Sequence, residues 1–255
     1  MLTVKNSPSV VTSQASKASA LREKIKIDES KLGNLIFKIA ETKSELEQAF
    51  KLVYNAYIQI EYMNPHPSGM RLHPLHVLQN STIFIGVHND KVVTTMALSP
   101  DSELGLPMDC IYQEELATIR HQKRRFAEIG ALASDPNFRY RDFTIPLHLN
   151  KIMYLYAKQY LQLDDLVIGV VPKHQSFYTA ILPFQQIGAI KAYQGINQNP
   201  VILLRLNLHT EEDDLYQTYH KYPIEKNLYH FFCLHDSECI YLPYLNNSRL
   251  KTKTA

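Results

Sequence analysis

Apolar positions along this chain follow two periods, one typical of helices and one typical of strands. The 3.6-residue period is clearest between Leu46 and Ile58, and it predicts a helix that Thr42 or Ser44 can cap. A longer helix is expected to follow, with Asp142 or Thr144 as its N-terminal cap. The helices other than the first are predicted over residues 113–122, 143–162 and 174–182.

Short apolar runs between these helices predict strands. Residues 82–87 and 92–98 form a predicted hairpin that turns at Asn89 and Asp90. The remaining strands are predicted over residues 35–40, 125–134, 165–172, 187–193 and 201–208. This order of strands and helices predicts a mixed α/β (α+β) fold, with a central, mostly antiparallel sheet flanked by helices.

The two ends of the chain lack this pattern. Residues 1–30 are rich in Ser, Lys, Thr and Ala, and we expect them to form a mobile N-terminal arm. Residues 211–255 are first acidic and then aromatic, and they predict an appendage to the main domain. The domain itself is predicted to cover residues 31–210.

One carboxylate interrupts the most central of the predicted strands. Glu128 lies in the apolar run Phe126-Ala127-Glu128-Ile129, where burial without a partner would be costly. Gly130 predicts a bulge, or a place where a ligand approaches the backbone. Since Arg139 and Arg141 follow, just before a predicted helix N-terminus, the segment predicts a site for an elongated anionic cofactor.

Two interpretations of Glu128 remain open at this point. In the first, the carboxylate forms an ion pair with Arg120, Arg124 or Arg125 and has only a structural role. In the second, it lies in an apolar site with a raised pKa and accepts or holds protons.

Composition narrows the choice of function. The formal net charge of +2 is spread over 255 residues, which is not typical of a nucleic-acid-binding protein. No apolar run is long enough for a transmembrane segment, and the N-terminus lacks the apolar core of a secretion signal, so we expect a cytoplasmic protein. The three cysteines and eleven histidines show no metal-ligand spacing, and no metal site is predicted.

Several short motifs resemble those of known acyltransferases. The segment Phe177-Tyr178, followed by Ile181-Leu182-Pro183-Phe184, is similar to the closing helix of the GNAT fold, with Pro183 where that family usually has Gly. More closely, the chain resembles the carrier-protein-dependent N-acyl amino acid synthases, relatives of the acyl-homoserine-lactone synthases. The stretches that carry this resemblance are residues 54–57, 69–71, 104–109, 119–120, 127–129, 172–178 and 192–197.

The resemblance implies a bacterial enzyme that transfers a fatty acyl group from the phosphopantetheine thioester of an acyl carrier protein to the α-amine of an amino acid. No cofactor would be permanently bound, and the acyl-phosphopantetheine, or acyl-CoA, would be a co-substrate. Glu128 would act as general base, and backbone N–H groups near Gly130, Ala131 and Leu132 would stabilise the oxyanion and bind the donor.

Other residues receive roles from the same resemblance. Tyr178 matches the general acid of the fold, with an ordinary core aromatic as the alternative. His174, Arg71 and Arg120 are candidate substrate contacts; Arg71 could pair with the acceptor's carboxylate. For His174 a helix cap or a surface position is the alternative.

The donor prediction depends on the loop before the long helix. This loop has no Gly, whereas GNAT enzymes wrap the CoA pyrophosphate with a Gly-rich loop. Arg139 and Arg141 would suit a single phosphate better, which favours a carrier protein over free CoA. A basic landing patch for that acidic partner would comprise Lys123, Arg124, Arg125, Arg139, Arg141 and Lys151.

Three rival functions are compatible with the sequence. The first is an acyl-homoserine-lactone-type synthase that uses S-adenosylmethionine. The second is a catalytically silent GNAT-like module that binds carrier protein or acyl chains. The third is acetylation from acetyl-CoA, which the Gly-free loop disfavours.

Overall fold

A computed structural model describes residues 17–77, 80–138 and 143–234. Within these ranges an open sheet is flanked by helices on both faces. The strands are β1 (Ile36–Ile39), β2 (Thr82–His88), β3 (Lys91–Pro100), β4 (Phe126–Ser134), β5 (Asp165–Val170), β6 (Gln185–Gln186), β7 (Lys191–Tyr193) and β8 (Asn199–Asn207). The α-helices are α1 (Lys43–Gln59), α2 (Asp109–His121), α3 (Thr144–Leu155), α4 (Pro172–Ser176) and α5 (Glu211–Tyr219).

The strands lie in the order β1-β2-β3-β4-β5-β8-β6, and β7 also pairs with β8. Of the described pairs, β4 with β5 is parallel and the others are antiparallel. The predicted fold class, a mixed and mostly antiparallel sheet flanked by helices, is therefore confirmed.

Local signals place the first elements where they were predicted. Thr42 caps α1 in a capping box with Glu45, in which each side chain accepts a bond from the other's backbone N–H. Asn89 and Asp90 both have positive φ, as the tight turn of a right-twisted hairpin requires.

Two predictions about element limits are wrong. Thr144 does not cap α3 but is its first residue, and its hydroxyl donates to the carbonyl of Lys26 at 3.0 Å. Of the strand predicted over residues 187–193, the structure keeps Lys191–Tyr193 as β7, and the two-residue β6 lies just before the predicted range. Between β6 and β7, the N–H groups of Ile187 and Gly188 both donate to the carbonyl of Leu203.

Side chains from both ends of the chain enter the main core. Ile25 is fully buried in the same cluster as Leu228 and Phe231. The domain limits at residues 30 and 210 remain predictions, and residues 1–16 and 235–255 lie outside the described ranges. The described parts of the arm and the appendage both contact the segment after α4, where Arg22 donates to the carbonyl of Ala180 and Tyr219 to that of Ile181.

The sheet opens between β4 and β5. Their pairing ends at Ile129 and Ile168, and beyond this point β4 pairs with β3 while β5 pairs with β8. The predicted bulge in β4 is confirmed, one residue beyond Gly130, because the register with β3 shifts there and Ala131 has a φ of 48°. None of the described helices is both long and apolar enough to cross a membrane.

Candidate active site

A cavity of about 320 Å³ lies where β4 and β5 separate. Side chains alternate across β4, so Ala127 and Ile129 face α3 while Phe126 and Glu128 face α2. The cavity is lined by Glu128 on one face of the sheet and by Pro146, from the start of α3, on the other. It therefore passes through the gap in the sheet rather than lying on one side of it.

Glu128 lies in the wall of this cavity and is 4% exposed. One of its carboxylate oxygens accepts a hydrogen bond of 2.9 Å from the N–H of Met108, just before α2. In the described part of the chain no basic side chain forms an ion pair with it. Burial raises the pKa of Glu128 to about 8; the Met108 N–H opposes the rise and the nearby Asp109 adds to it.

The three arginines that the sequence offers as ion-pair partners of Glu128 bind elsewhere, so the ion-pair interpretation is wrong. Arg124 forms an ion pair with the fully buried Asp165, and the guanidinium of Arg125 donates to the carbonyl of Leu161. The third, Arg120, has its own acidic partners. Glu128 is thus left as a buried carboxyl group without a compensating cation in the described chain, which is unusual for a structural residue.

Arg120 is not among the residues that line the cavity, and its contact with substrate stays a prediction. Its guanidinium is held between Asp101 and Asp109 at 2.7 and 2.6 Å. Asp109 in turn accepts the N–H of Leu106 at 2.6 Å, which fixes the turn that presents the Met108 N–H to Glu128. The structure therefore makes Arg120 a positioning residue for the turn beside the carboxyl group.

The bulge residues Gly130, Ala131 and Leu132 all line the cavity, as predicted for residues that bind the donor. From Gly130 onward the edge of β4 that faces β5 has no strand partner in the described chain. Backbone groups along this edge are consequently open to a ligand that lies in the gap.

Tyr178 and His174 both reach the cavity from the segment that begins with α4. Tyr178 lies on a single π-helical turn, and its ring packs edge-on against Phe177 and Phe184, so it is at once a core aromatic and a wall residue. Burial, and then the neighbouring Tyr57, raise the pKa of Tyr178 above its ordinary value. Burial, with the charge of Lys173, lowers the pKa of His174.

Arg71 lines the cavity on the same face of the sheet as Glu128. Its guanidinium lies 4.5 Å from the centre of the Tyr57 ring, a cation–π contact. In the described residues no carboxylate lies within ion-pair distance of it. Arg71 is therefore available to an anionic group of a ligand.

Arg139 and Arg141, predicted to hold the donor phosphate, lie outside the described residues. The described chain resumes at Phe143, which lines the cavity just before α3 begins. The predicted landing patch is incorrect in at least one member, because Lys151 is 3% exposed.

Two histidines and two tyrosines of the cavity are given no role by the sequence analysis. His73 precedes a 3₁₀ turn in the Pro-rich loop after α1 and His76 lies within that turn, while Tyr57 and Tyr193 come from α1 and β7. Burial raises the pKa of Tyr193 to about 12, and nearby Cys110 and Glu128 add to the rise. The two histidines match no motif, whereas the two tyrosines lie in stretches that carry the resemblance; the fold brings all four to the cavity.

A second, open cavity of about 470 Å³ shares four of its residues with the first: Arg71, His73, Pro107 and Tyr193. It therefore forms a mouth on the face of the sheet that carries Glu128. Phe143 and Pro146 mark the other side of the gap.

One described group of three potential metal ligands, Glu211, Glu212 and Cys233, lies apart from this cavity. Lys158 already contacts both carboxylates, at 2.7 and 3.5 Å. These contacts make the two glutamates part of an ion-pair network between α5 and the π-helical turn that follows α3.

Comparison with known proteins identifies similar families and folds. The family model of the N-acyl amino acid synthase FeeM matches residues 48–207. The solved structure of FeeM, from uncultured soil microbes, has a TM-score of 0.62 and 26% identity, covering 70% of this chain and 93% of FeeM. No curated protein sequence matches the chain.

Two acyl-homoserine-lactone synthases share the fold. For CoA-dependent BjaI, solved with MTA, the TM-score is 0.56 at 12% identity, covering 72% of this chain and 88% of BjaI. For LasI the TM-score is 0.53 at 15% identity, and the match covers 75% of this chain and 98% of LasI. The resemblance drawn from the sequence motifs is thereby confirmed.

Proposed function

The chain belongs to the FeeM family of N-acyl amino acid synthases, and we propose that it transfers a fatty acyl group from the phosphopantetheine thioester of an acyl carrier protein to the α-amine of an amino acid. That it is an acyltransferase follows from the family. The observation that carries the finer proposal is Glu128, a buried carboxyl group without an ion-pair partner in the described chain, at a cavity that passes through the sheet.

The acceptor amine must lose a proton before it can attack. An α-amine is ordinarily protonated near neutral pH, and a carboxyl group with a pKa of about 8 is well matched to accept that proton. Glu128 then passes the proton to solvent through the open mouth beside Arg71. Burial keeps the carboxylate of Glu128 poorly solvated and therefore reactive.

The free amine attacks the thioester carbon, so that a C–N bond forms and the carbonyl π electrons move to oxygen. Backbone N–H groups of the β4 bulge, at Ala131 and Leu132, are suited to stabilise this oxyanion. When the intermediate collapses, the C–S bond breaks and the sulfur leaves as thiolate. The second proton of the nitrogen goes to the thiolate, which leaves the amide and a free thiol.

Tyr178 is the proposed partner of the departing thiolate. Its raised pKa keeps the phenol protonated and makes it a hydrogen-bond donor to the thiolate rather than a source of a full proton. His174, one turn earlier, lies in the same wall and is proposed to contact the donor near its sulfur.

Arg71 is proposed to bind the acceptor's carboxylate. A guanidinium can hold a carboxylate through two parallel hydrogen bonds, and Arg71 has no such partner in the described chain. With the carboxylate at Arg71 and the amine at Glu128, an α-amino acid entering by the open mouth is held at both ends.

The donor is proposed to enter from the opposite side, between β4 and β5. The amide groups of phosphopantetheine can pair with the open strand edges, and the N-terminus of α3 lies beside the cavity for its phosphate. The absence of Gly between residues 130 and 169 supports a carrier protein over CoA, because GNAT enzymes wrap the CoA pyrophosphate with a Gly-rich loop. We place this reaction in the cytoplasm.

The proposal is tested by incubating the pure protein with amino acids and two donors in parallel, acyl carrier protein charged with a fatty acyl chain and the corresponding acyl-CoA. N-acyl amino acids detected by mass spectrometry, more abundant with the carrier protein, are the expected result. Preference for acyl-CoA would overturn the donor assignment. No amide from either donor would overturn the function, and a lactone formed from S-adenosylmethionine would replace it.

A further inference from the structure

The imidazole of His76 lies against β4 at Gly130, where the sheet opens. A Cβ placed on Gly130 would lie 3.3 Å from the His76 Nε2 and 3.5 Å from its Cε1. The imidazole thus rests on the strand at a position where only glycine leaves ordinary contact distance.

The ring of His76 has no hydrogen-bond partner among the described residues. Its backbone N–H donates to the carbonyl of His73 at 2.9 Å, and the two imidazole rings lie 5.2 Å apart. Because His76 lines the cavity, its ring nitrogens are available to a ligand there. Burial lowers the pKa of His76 to about 4, and nearby His73 and Arg71 add to the effect, so the imidazole is neutral at physiological pH.

Glu128 and His76 lie on the same side of β4. Residues two apart on a strand share a face, so Glu128 projects toward the side on which His76 covers Gly130. Two strand residues span about 6.6 Å, a spacing that admits one amine nitrogen between a carboxyl group and an imidazole. The ionisable groups beside this pair include Arg71 and His73 next to His76, and Asp109, Cys110 and Tyr193 next to Glu128.

We propose that His76 contacts the acceptor directly, and that its neutral imidazole accepts a hydrogen bond from the reacting amine while Glu128 removes the proton. The inference rests on the proposed function. It assigns His76 a role in aiming the nitrogen lone pair at the thioester carbon, since an imidazole of such low basicity does not take the proton itself. Removal of the ring would therefore lower turnover more than it weakens donor binding.

The first test compares His76→Ala with His66→Ala, a matched control in the same loop whose ring bonds to the exposed Ser68. We expect kcat/KM for the amino acid to fall on the order of 10- to 100-fold in His76→Ala, with the donor KM unchanged. Added imidazole should restore part of the rate, and His66→Ala should behave as wild type. Thermal unfolding confirms that each variant is folded.

The second test uses the close contact with Gly130. In the wild-type background Gly130→Ala displaces the imidazole by a few tenths of an ångström and should lower kcat/KM, whereas in the His76→Ala background the loss from the same change should be smaller. Equal losses in both backgrounds would overturn the inference, as would a full rate in His76→Ala. A wild-type protein that forms no amide with any donor would instead refute the proposed function, so the two failures are distinguishable.

Discussion

Replacement of Glu128 by Gln should have opposite effects on activity and on stability. Glutamine has nearly the same shape and its carbonyl oxygen can still accept the Met108 N–H, so the turn before α2 is preserved. It removes the base, however, and we expect the rate to fall about 10²- to 10⁴-fold. It also removes a carboxyl group whose ionised form is strongly disfavoured in the folded protein.

The stability effect follows from the pKa of Glu128, about 8 when folded against an ordinary value of 4.5. Between these two values the unfolded chain has already lost the proton that the folded protein retains, so rising pH destabilises the fold. The values lie about 3.5 pH units apart, which corresponds to about 5 kcal/mol above pH 8 and about 2 kcal/mol at pH 6. Glutamine does not ionise, so Glu128→Gln should lack this pH-dependent loss of stability.

Urea unfolding of wild type and Glu128→Gln at pH 6 and pH 9 measures this difference. We expect the advantage of the variant to grow by about 3 kcal/mol between these pH values. Glu103→Gln, which replaces an exposed carboxylate, is the control and should show no such growth. A pH-independent difference for Glu128→Gln would mean that the carboxylate is solvated or paired, and both the base assignment and the burial argument would then be refuted.

Three further variants test separate parts of the site. Tyr178→Phe should lower kcat about 10-fold without loss of thermal stability, because it removes the thiolate's hydrogen bond but keeps the ring packing. Arg71→Gln should raise the KM of amino acids about 10- to 100-fold while leaving the corresponding decarboxylated amines unaffected, which steady-state kinetics can resolve. Arg120→Gln should lower the free energy of unfolding, measured in urea, by about 1–3 kcal/mol. The guanidinium that pairs with both Asp101 and Asp109 would then be absent. Unchanged values in any of the three would contradict that residue's assignment.

Where local chemistry decides a structure, the sequence was sufficient to predict it. The capping box at Thr42 and the Asn89-Asp90 turn are complete within a few residues, and both are found as expected. The strand predicted from residue 187 begins only at Lys191, and near its predicted start Gly188 packs so closely against the ring of Tyr112 that no Cβ would fit. Contacts of this kind join segments far apart in the chain and leave no local pattern.

The residues of the candidate site also differ in whether the local sequence could predict them. Glu128 and Gly130 could be predicted because a carboxylate and a glycine inside an apolar strand are anomalous by themselves. His73 and His76 are ordinary in their own segment, and they become notable only when the loop after α1 is placed over the opening of the sheet. Their roles could not be predicted before the fold was known.

Whether Glu128 is paired depends on which acidic groups bind the neighbouring arginines, and the sequence does not decide this. Three arginines lie within eight positions of it, and any of them could have neutralised the carboxylate. The fold instead gives Arg124 to Asp165 and Arg120 to Asp101 and Asp109. A buried ion pair at Glu128 would hold its pKa low and end its use as a base near pH 8. The aspartates that occupy these arginines are thus as necessary to the proposed chemistry as the carboxyl group itself, although none of them needs to touch the substrate.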